Sequence, residues 1–106
     1  HSEVETDMYN PCAPYSRLGI VHVLFKKEFP KHKSIVDGLH FHAMCQQNAD
    51  VLERILNSFE KLYGKHIKSL KWVSFGGGHH ITRVDYDIEL LIRLINNFKK
   101  KYGAQV

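Results

Sequence analysis

Three consecutive glycines, Gly76-Gly77-Gly78, are the clearest place in this sequence where backbone chemistry could act on a ligand. Lacking Cβ atoms, they adopt positive φ freely and let N–H groups approach an anion such as phosphate. Their spacing is not the dinucleotide fingerprint and no Lys-Ser or Lys-Thr follows, so neither a Rossmann site nor a P-loop is indicated. A flexible turn is the competing reading. The second feature is His40-Phe41-His42, where period-two alternation sends both imidazoles to one side of a strand. These rings could do acid–base or stacking work against a planar cofactor, bind zinc with His79 or His80, or be hydrogen-bonded interior histidines. Cys45 is either a nucleophile with a base in reach or a small loop residue, and Cys12 has the same two readings. His79 and His80 point in opposite directions if extended, so at most one faces a ligand held by the glycines. Arg83 suits a phosphate or carboxylate, or a surface ion pair with Asp85 or Asp87.

Elements must position these groups, and composition bounds the choice. A length of 106 residues allows one domain or a piece of one. Apolar residues at 43% and charged residues at 25% exclude a disordered, collagen-like or coiled-coil chain. The net charge of +4 is spread over helix faces and helix ends, so no nucleic-acid partner is expected. No apolar run approaches the roughly 18 residues of a membrane-spanning helix, so no membrane partner is expected. No secretory signal is expected from the opening residues, and His1 is given no weight because His1-Ser2 can also be read as a tag remnant. Two cysteines are too few for a disulfide framework, which points to a reducing cytoplasm.

Residues 1–19 read as loop, because Pro11 and Pro14 fix φ and remove donors. The run 20–27 is rich in β-branched residues like a strand, yet Phe25 and Phe29 have helical spacing, and Pro30 should stop either element. Leu39-His40-Phe41-His42 reads as a strand. Over 48–63, Val51, Leu52, Ile55, Leu56, Phe59, Leu62 and Tyr63 form one helical stripe, with Gly64 as the expected C-terminal cap. A second strand over 67–75 runs into the glycines. A second long helix covers 88–102, capped by Asp85 or Asp87 and ended by Gly103, and Ala104-Gln105-Val106 begin a third strand. The repeated Tyr63-Gly64 and Tyr102-Gly103 pairs hint at repeated units. Strands alternating with helices imply right-handed βαβ units, a parallel sheet and the α/β class. Ligands then bind beyond the carboxyl ends of the strands, where the glycines and His42 lie. Two or three such units leave apolar edges. The chain is therefore either a small doubly wound, noncatalytic domain binding a phosphate ligand, or a segment of something larger.

Taken in order, Asn10-Pro11-Cys12-Ala13-Pro14 with Ser16-Arg17-Leu18-Gly19, Gly38-Leu39-His40-Phe41-His42, and Gly76-Gly77-Gly78-His79-His80-Ile81-Thr82-Arg83 with Asp85-Tyr86-Asp87 carry a family likeness. The chain resembles the carboxynorspermidine (carboxyspermidine) decarboxylases, a branch of the alanine-racemase-like, fold-type III pyridoxal-phosphate decarboxylases. The resemblance implies that residues 1–106 are a central segment of a (β/α)8 barrel, which needs roughly 250 residues in full. It implies a helix over 20–29. It implies pyridoxal 5'-phosphate as cofactor, a carboxylated polyamine as substrate, decarboxylation to norspermidine or spermidine, and a homodimer as the full-length protein. His42 matches the family histidine that stacks on the pyridine ring. Gly76, Gly77 and Gly78 match the turn whose amides hold the cofactor phosphate. Cys45 matches a phosphate-contacting serine, with a thiol as the weaker donor. No lysine here matches the Schiff-base lysine, so no catalytic residue is expected in this segment and the 106 residues alone should be inactive.

Overall fold

The computed structural model describes Ala13 and residues 15–106. Cys12, Pro11 and Pro14 lie outside the described residues, so the loop reading of 1–19 meets the structure only at Ala13 and residues 15–19, which lie in turns and bends.

Helix α1 spans His22–His32. Its spacing logic is aromatic: Phe25 and Phe29 are both buried and stack with ring centroids 4.7 Å apart. Pro30 does not stop this helix as the sequence suggested. It sits in the last turn, removes the single bond to the Lys26 carbonyl, and the helix runs two residues further.

Strands β1 (Gly38–His40) and β2 (Trp72–Ser74) pair in parallel, with Gly38 opposite Trp72, Leu39 opposite Val73 and His40 opposite Ser74. Both are shorter than expected. The ladder adds one bond beyond β1, from Phe41 N–H to the Ser74 carbonyl at 3.1 Å, and leaves His42 in the following loop. Residues 67–71 are not strand, because Ile67 still belongs to the preceding helix and Ser69 and Leu70 turn back onto the His66 and Ile67 carbonyls. On the far edge of β2, Val73 N–H donates to the Gln105 carbonyl at 2.8 Å and Gln105 N–H to the Lys71 carbonyl at 2.9 Å, a parallel bridge where the third strand was expected.

Helix α2 spans Ala49–Ile67 and buries the stripe read from the sequence, with Leu52, Ile55, Leu56 and Phe59 at most 3% exposed. Gly64 is not its cap. The helix passes through Gly64, where a Cβ would stand 3.0 Å from Tyr102 Oη on the neighbouring helix. Helix α3 spans Ile88–Tyr102 and has the predicted ends. The Asp87 carboxylate accepts from Leu90 N–H at 2.8 Å, and Gly103 closes the helix in the left-handed region at φ 71. The Tyr-Gly echo is thus not structural, since one glycine lies inside a helix and the other ends one.

The core lies between the helices and the sheet. Phe41 meets Phe59 at 4.8 Å and Phe75 at 5.5 Å, and Phe75 meets Phe98 of α3 at 5.2 Å. Burial of each such ring is worth about 1.5–3 kcal/mol, enough to set the relation of helices to sheet. The observed class is α/β, with a parallel two-stranded sheet and three helices. Among the described residues no helix is long and apolar enough to cross a membrane.

Candidate functional site

The parallel pairing brings the segments that follow β1 and β2 side by side at the carboxyl ends of the strands. The glycines make this approach possible. Gly76 has φ 73, and a Cβ there would lie 2.3 Å from the Phe41 carbonyl oxygen and 2.9 Å from His42 Cα. Gly78 has φ 86, and its Cβ would lie 2.0 Å from the Met44 carbonyl oxygen and 2.9 Å from Cys45 N. At Gly77 the nearest neighbour is the His42 ring itself, 3.3 Å from a Cβ to Cε1. His42, Cys45 and Gly76, Gly77 and Gly78 therefore share one rim.

Two backbone bonds lock the rim: Gln47 N–H donates to the Gly78 carbonyl at 2.9 Å, and His80 N–H to the Gln47 carbonyl at 3.3 Å. Gly76 N–H donates to Ser74 Oγ at 3.3 Å. Among the described residues no backbone carbonyl accepts from the N–H of Gly77, Gly78 or His79. Adjacent unpaired amides on a glycine turn form an anion-binding concavity.

The remaining predicted residues sort by their surroundings. His42 is exposed at the rim, with its ring centroid 6.3 Å from that of His40. His40 Nδ1 lies 2.9 Å from Ser74 Oγ across the strand pair. Cys45 is exposed and free, and its N–H donates to Gln47 Oε1 at 3.1 Å. His79 is partly buried with Tyr86 Oη 3.5 Å from Nδ1. Burial pushes the His79 imidazole below its usual pKa, the nearby His42 adds to that, and the Phe75 carbonyl opposes it. Arg83 forms the surface pair, donating Nε–H to Asp85 Oδ1 at 2.8 Å, with a second contact through the other guanidinium nitrogen. Asp85 is held below the ordinary carboxylate range by that hydrogen bond. Among the described residues no three His, Cys, Asp or Glu side chains converge on a point, so the zinc reading of His40, His42 and His79 or His80 lacks a ligand set. Beside the glycine turn lies an open hollow of about 550 Å³, lined by Trp72, Ile81, Leu91, Ile95 and Val106 among others.

Sequence reasoning missed two participants. Ser74 was visible only as a hydroxyl two residues before the glycines. Asn48 read as a plain helix start, yet its Oδ1 accepts from Ala49 N–H at 2.7 Å and Asp87 N–H at 2.9 Å, and its Nδ2 donates to the Asp85 carbonyl at 2.8 Å. No local pattern announces a partner 39 positions away.

No family model matches the chain. Whole-chain comparison decides the matter: 101 residues, 94% of the chain, are 52% identical to a carboxynorspermidine/carboxyspermidine decarboxylase of Campylobacter jejuni. Over most of its length the chain is similar to a segment of the carboxynorspermidine decarboxylases. Two further relatives are a carboxyaminopropylagmatine decarboxylase of Synechocystis, 36% identical over 87% of the chain, and a carboxynorspermidine/carboxyspermidine decarboxylase of Herminiimonas arsenicoxydans, 31% identical over 78%. The solved Campylobacter jejuni carboxynorspermidine decarboxylase, complexed with norspermidine, superposes on 90% of the chain with a TM-score of 0.80 at 50% identity. The chain spans about a quarter of the length of these relatives: 25%, 23% and 22% of the three sequences and 25% of the solved chain. The residues at the rim fit a phosphorylated planar group, because two glycine positions admit no Cβ, adjacent amides lack carbonyl partners, and an exposed imidazole stands against Gly77.

Proposed function

We propose that this chain is the part of a (β/α)8 decarboxylase barrel that grips pyridoxal 5'-phosphate. The convergence of His42 with Gly76, Gly77 and Gly78 on one rim carries the reading. The amides of Gly77, Gly78 and His79 would donate to the phosphate, where charge-assisted bonds are strong. The His42 imidazole would lie against the cofactor ring and hold its orientation. Cys45, beside Gly78, would add a weak thiol donor. When bound, pyridoxal phosphate supplies an electron sink for the electron pair left behind as CO2 departs.

The full protein would act on carboxynorspermidine or carboxyspermidine, releasing norspermidine or spermidine, as a cytoplasmic homodimer. The relatives' names support the polyamine reaction. The other barrel units would cover the hollow beside β2 and complete the closed barrel. No side chain in this segment forms the bond to the cofactor, so its work is binding and orientation.

The test uses the full-length enzyme that carries this segment, with His42→Ala and Gly77→Ala variants. Each should weaken pyridoxal phosphate about tenfold or more, His42→Ala by removing the stacking face and Gly77→Ala by pushing a Cβ against that imidazole and into the cradle, while circular dichroism stays native. Fluorescence titration of the apoenzyme reads the affinity, and decarboxylation of carboxynorspermidine reads the reaction. Wild-type cofactor affinity in both variants would sink the proposal.

A further inference from the structure

We propose that His40 is a positioning residue for the glycine turn, acting through the Ser74 hydroxyl on the Gly76 amide. The inference rests on reading that turn as the phosphate cradle and adds to it a residue two positions before His42.

The strand register explains why the groups meet. His40 and Ser74 are partners across the parallel pair, so their side chains stand on one face of the sheet. His40 Nδ1 lies 2.9 Å from Ser74 Oγ, and Gly76 N–H donates to that same oxygen at 3.3 Å. A serine hydroxyl has one hydrogen and two lone pairs. In the relay proposed here one lone pair takes the Gly76 N–H and the hydroxyl hydrogen goes to His40 Nδ1, the arrangement that places the imidazole proton on Nε2. Without an acceptor at position 40 the hydroxyl is free to rotate, and its lone pair is no longer aimed at the Gly76 amide.

The orientation of that amide matters because the chain has no slack there. Gly76 enters the turn at φ 73, with its Cα packed so closely that a Cβ would sit 2.3 Å from the Phe41 carbonyl oxygen. Holding the Gly76 N–H on Ser74 sets the plane from which the turn departs. The next three amides, those of Gly77, Gly78 and His79, are the ones with no carbonyl partner among the described residues. His40 thus acts on the phosphate without touching it.

The experiment compares His40→Ala, His40→Asn, Ser74→Ala, the His40→Ala/Ser74→Ala double variant and Gly77→Ala in the full-length apoenzyme. Each is titrated with pyridoxal phosphate and with pyridoxal, which lacks the phosphate. His40→Ala should weaken pyridoxal phosphate about threefold to tenfold, the size of one hydrogen bond, and leave pyridoxal unchanged. His40→Asn, whose Oδ1 can accept in place of Nδ1, should restore most of the loss. Ser74→Ala should match His40→Ala, and the double variant should be no worse than either. Unchanged pyridoxal phosphate affinity in His40→Ala, an equal loss for pyridoxal, or additive losses in the double variant would overturn the relay. If His40→Ala does not fold, Ser74→Ala against Ser74→Thr, which keeps the hydroxyl, decides the same question. Gly77→Ala separates the two readings. If it weakens pyridoxal phosphate while His40→Ala does not, only the relay fails; if it too leaves the affinity unchanged, the phosphate cradle itself fails.

Discussion

Gly76, Gly77 and Gly78 are adjacent in sequence but unequal in what a methyl group would do. At Gly76 and Gly78 a Cβ would meet carbonyl oxygens at 2.3 and 2.0 Å, and both have φ in the region L side chains disfavour. Neither backbone can yield cheaply, so Gly76→Ala and Gly78→Ala should each lose about 1–3 kcal/mol or more of stability by denaturant titration. At Gly77 the obstacle is a movable imidazole at 3.3 Å, so Gly77→Ala should stay folded. A drop at Gly77 as large as at its neighbours would contradict this ranking. Two other side chains predict a pH response. Burial lowers the pKa of His66 first, helped by Lys65, His22 and Lys33, and burial likewise lowers that of His79. His66 packs edge-on against Phe25 at 5.3 Å and Phe29 at 5.0 Å, with a buried Nε2 that has no hydrogen-bond partner among the described residues. Both folded-state values lie below the unfolded 6.5, so the unfolded chain binds protons first as pH falls. Stability is full above pH 6.5 and should decline as pH drops from there towards the folded-state values. Urea midpoints at pH 7.5, 6.5 and 5.5 check this, and a His66→Phe variant should show the shallower decline.

At the scale of elements, Asn48 joins two helices that sequence reasoning treated separately. It caps α2 and also binds the Asp85 carbonyl and Asp87 N–H just before α3 begins. Asn48→Ala removes all of these, and should cost about 2–3 kcal/mol, more than the roughly 1 kcal/mol of an ordinary cap. Asn48→Asp keeps the acceptor but not the donor, and should lose about half as much. Equal stability of Asn48→Ala and wild type would mean the clamp is idle. A further contact between α2 and α3 runs through Glu60, which accepts from Tyr102 Oη at 2.8 Å and pairs with Lys101. Gly64 leaves room for that tyrosine, at a mid-helix propensity cost of about 1 kcal/mol.

For the whole molecule the decisive facts are the open hollow beside β2 and the exposed apolar residues that line it, including Trp72, Ile81 and Val106. A parallel sheet is ordinarily covered on both faces. On the proposed reading, no lysine of this segment forms the bond to the cofactor. The 106-residue chain alone is therefore expected to give no Schiff-base absorbance when pyridoxal phosphate is added and no decarboxylation of carboxynorspermidine. Spectrophotometric titration and a CO2-release assay check both, and steady turnover would refute the division of labour proposed here.

Local pattern alone determined α3 to its ends, the buried stripe of α2 and the parallel α/β arrangement. Those features follow from helical periodicity, capping chemistry and the missing Cβ, which are properties of short stretches of chain. Tertiary structure decided the rest. It carried α2 through Gly64, let α1 run past Pro30, cut β1 short of His42, and made Ser74 the meeting point of His40 and Gly76. Each of these depends on what lies across a strand pair or a helix interface, and residues 34 or more positions apart leave no periodic trace of one another in a single sequence.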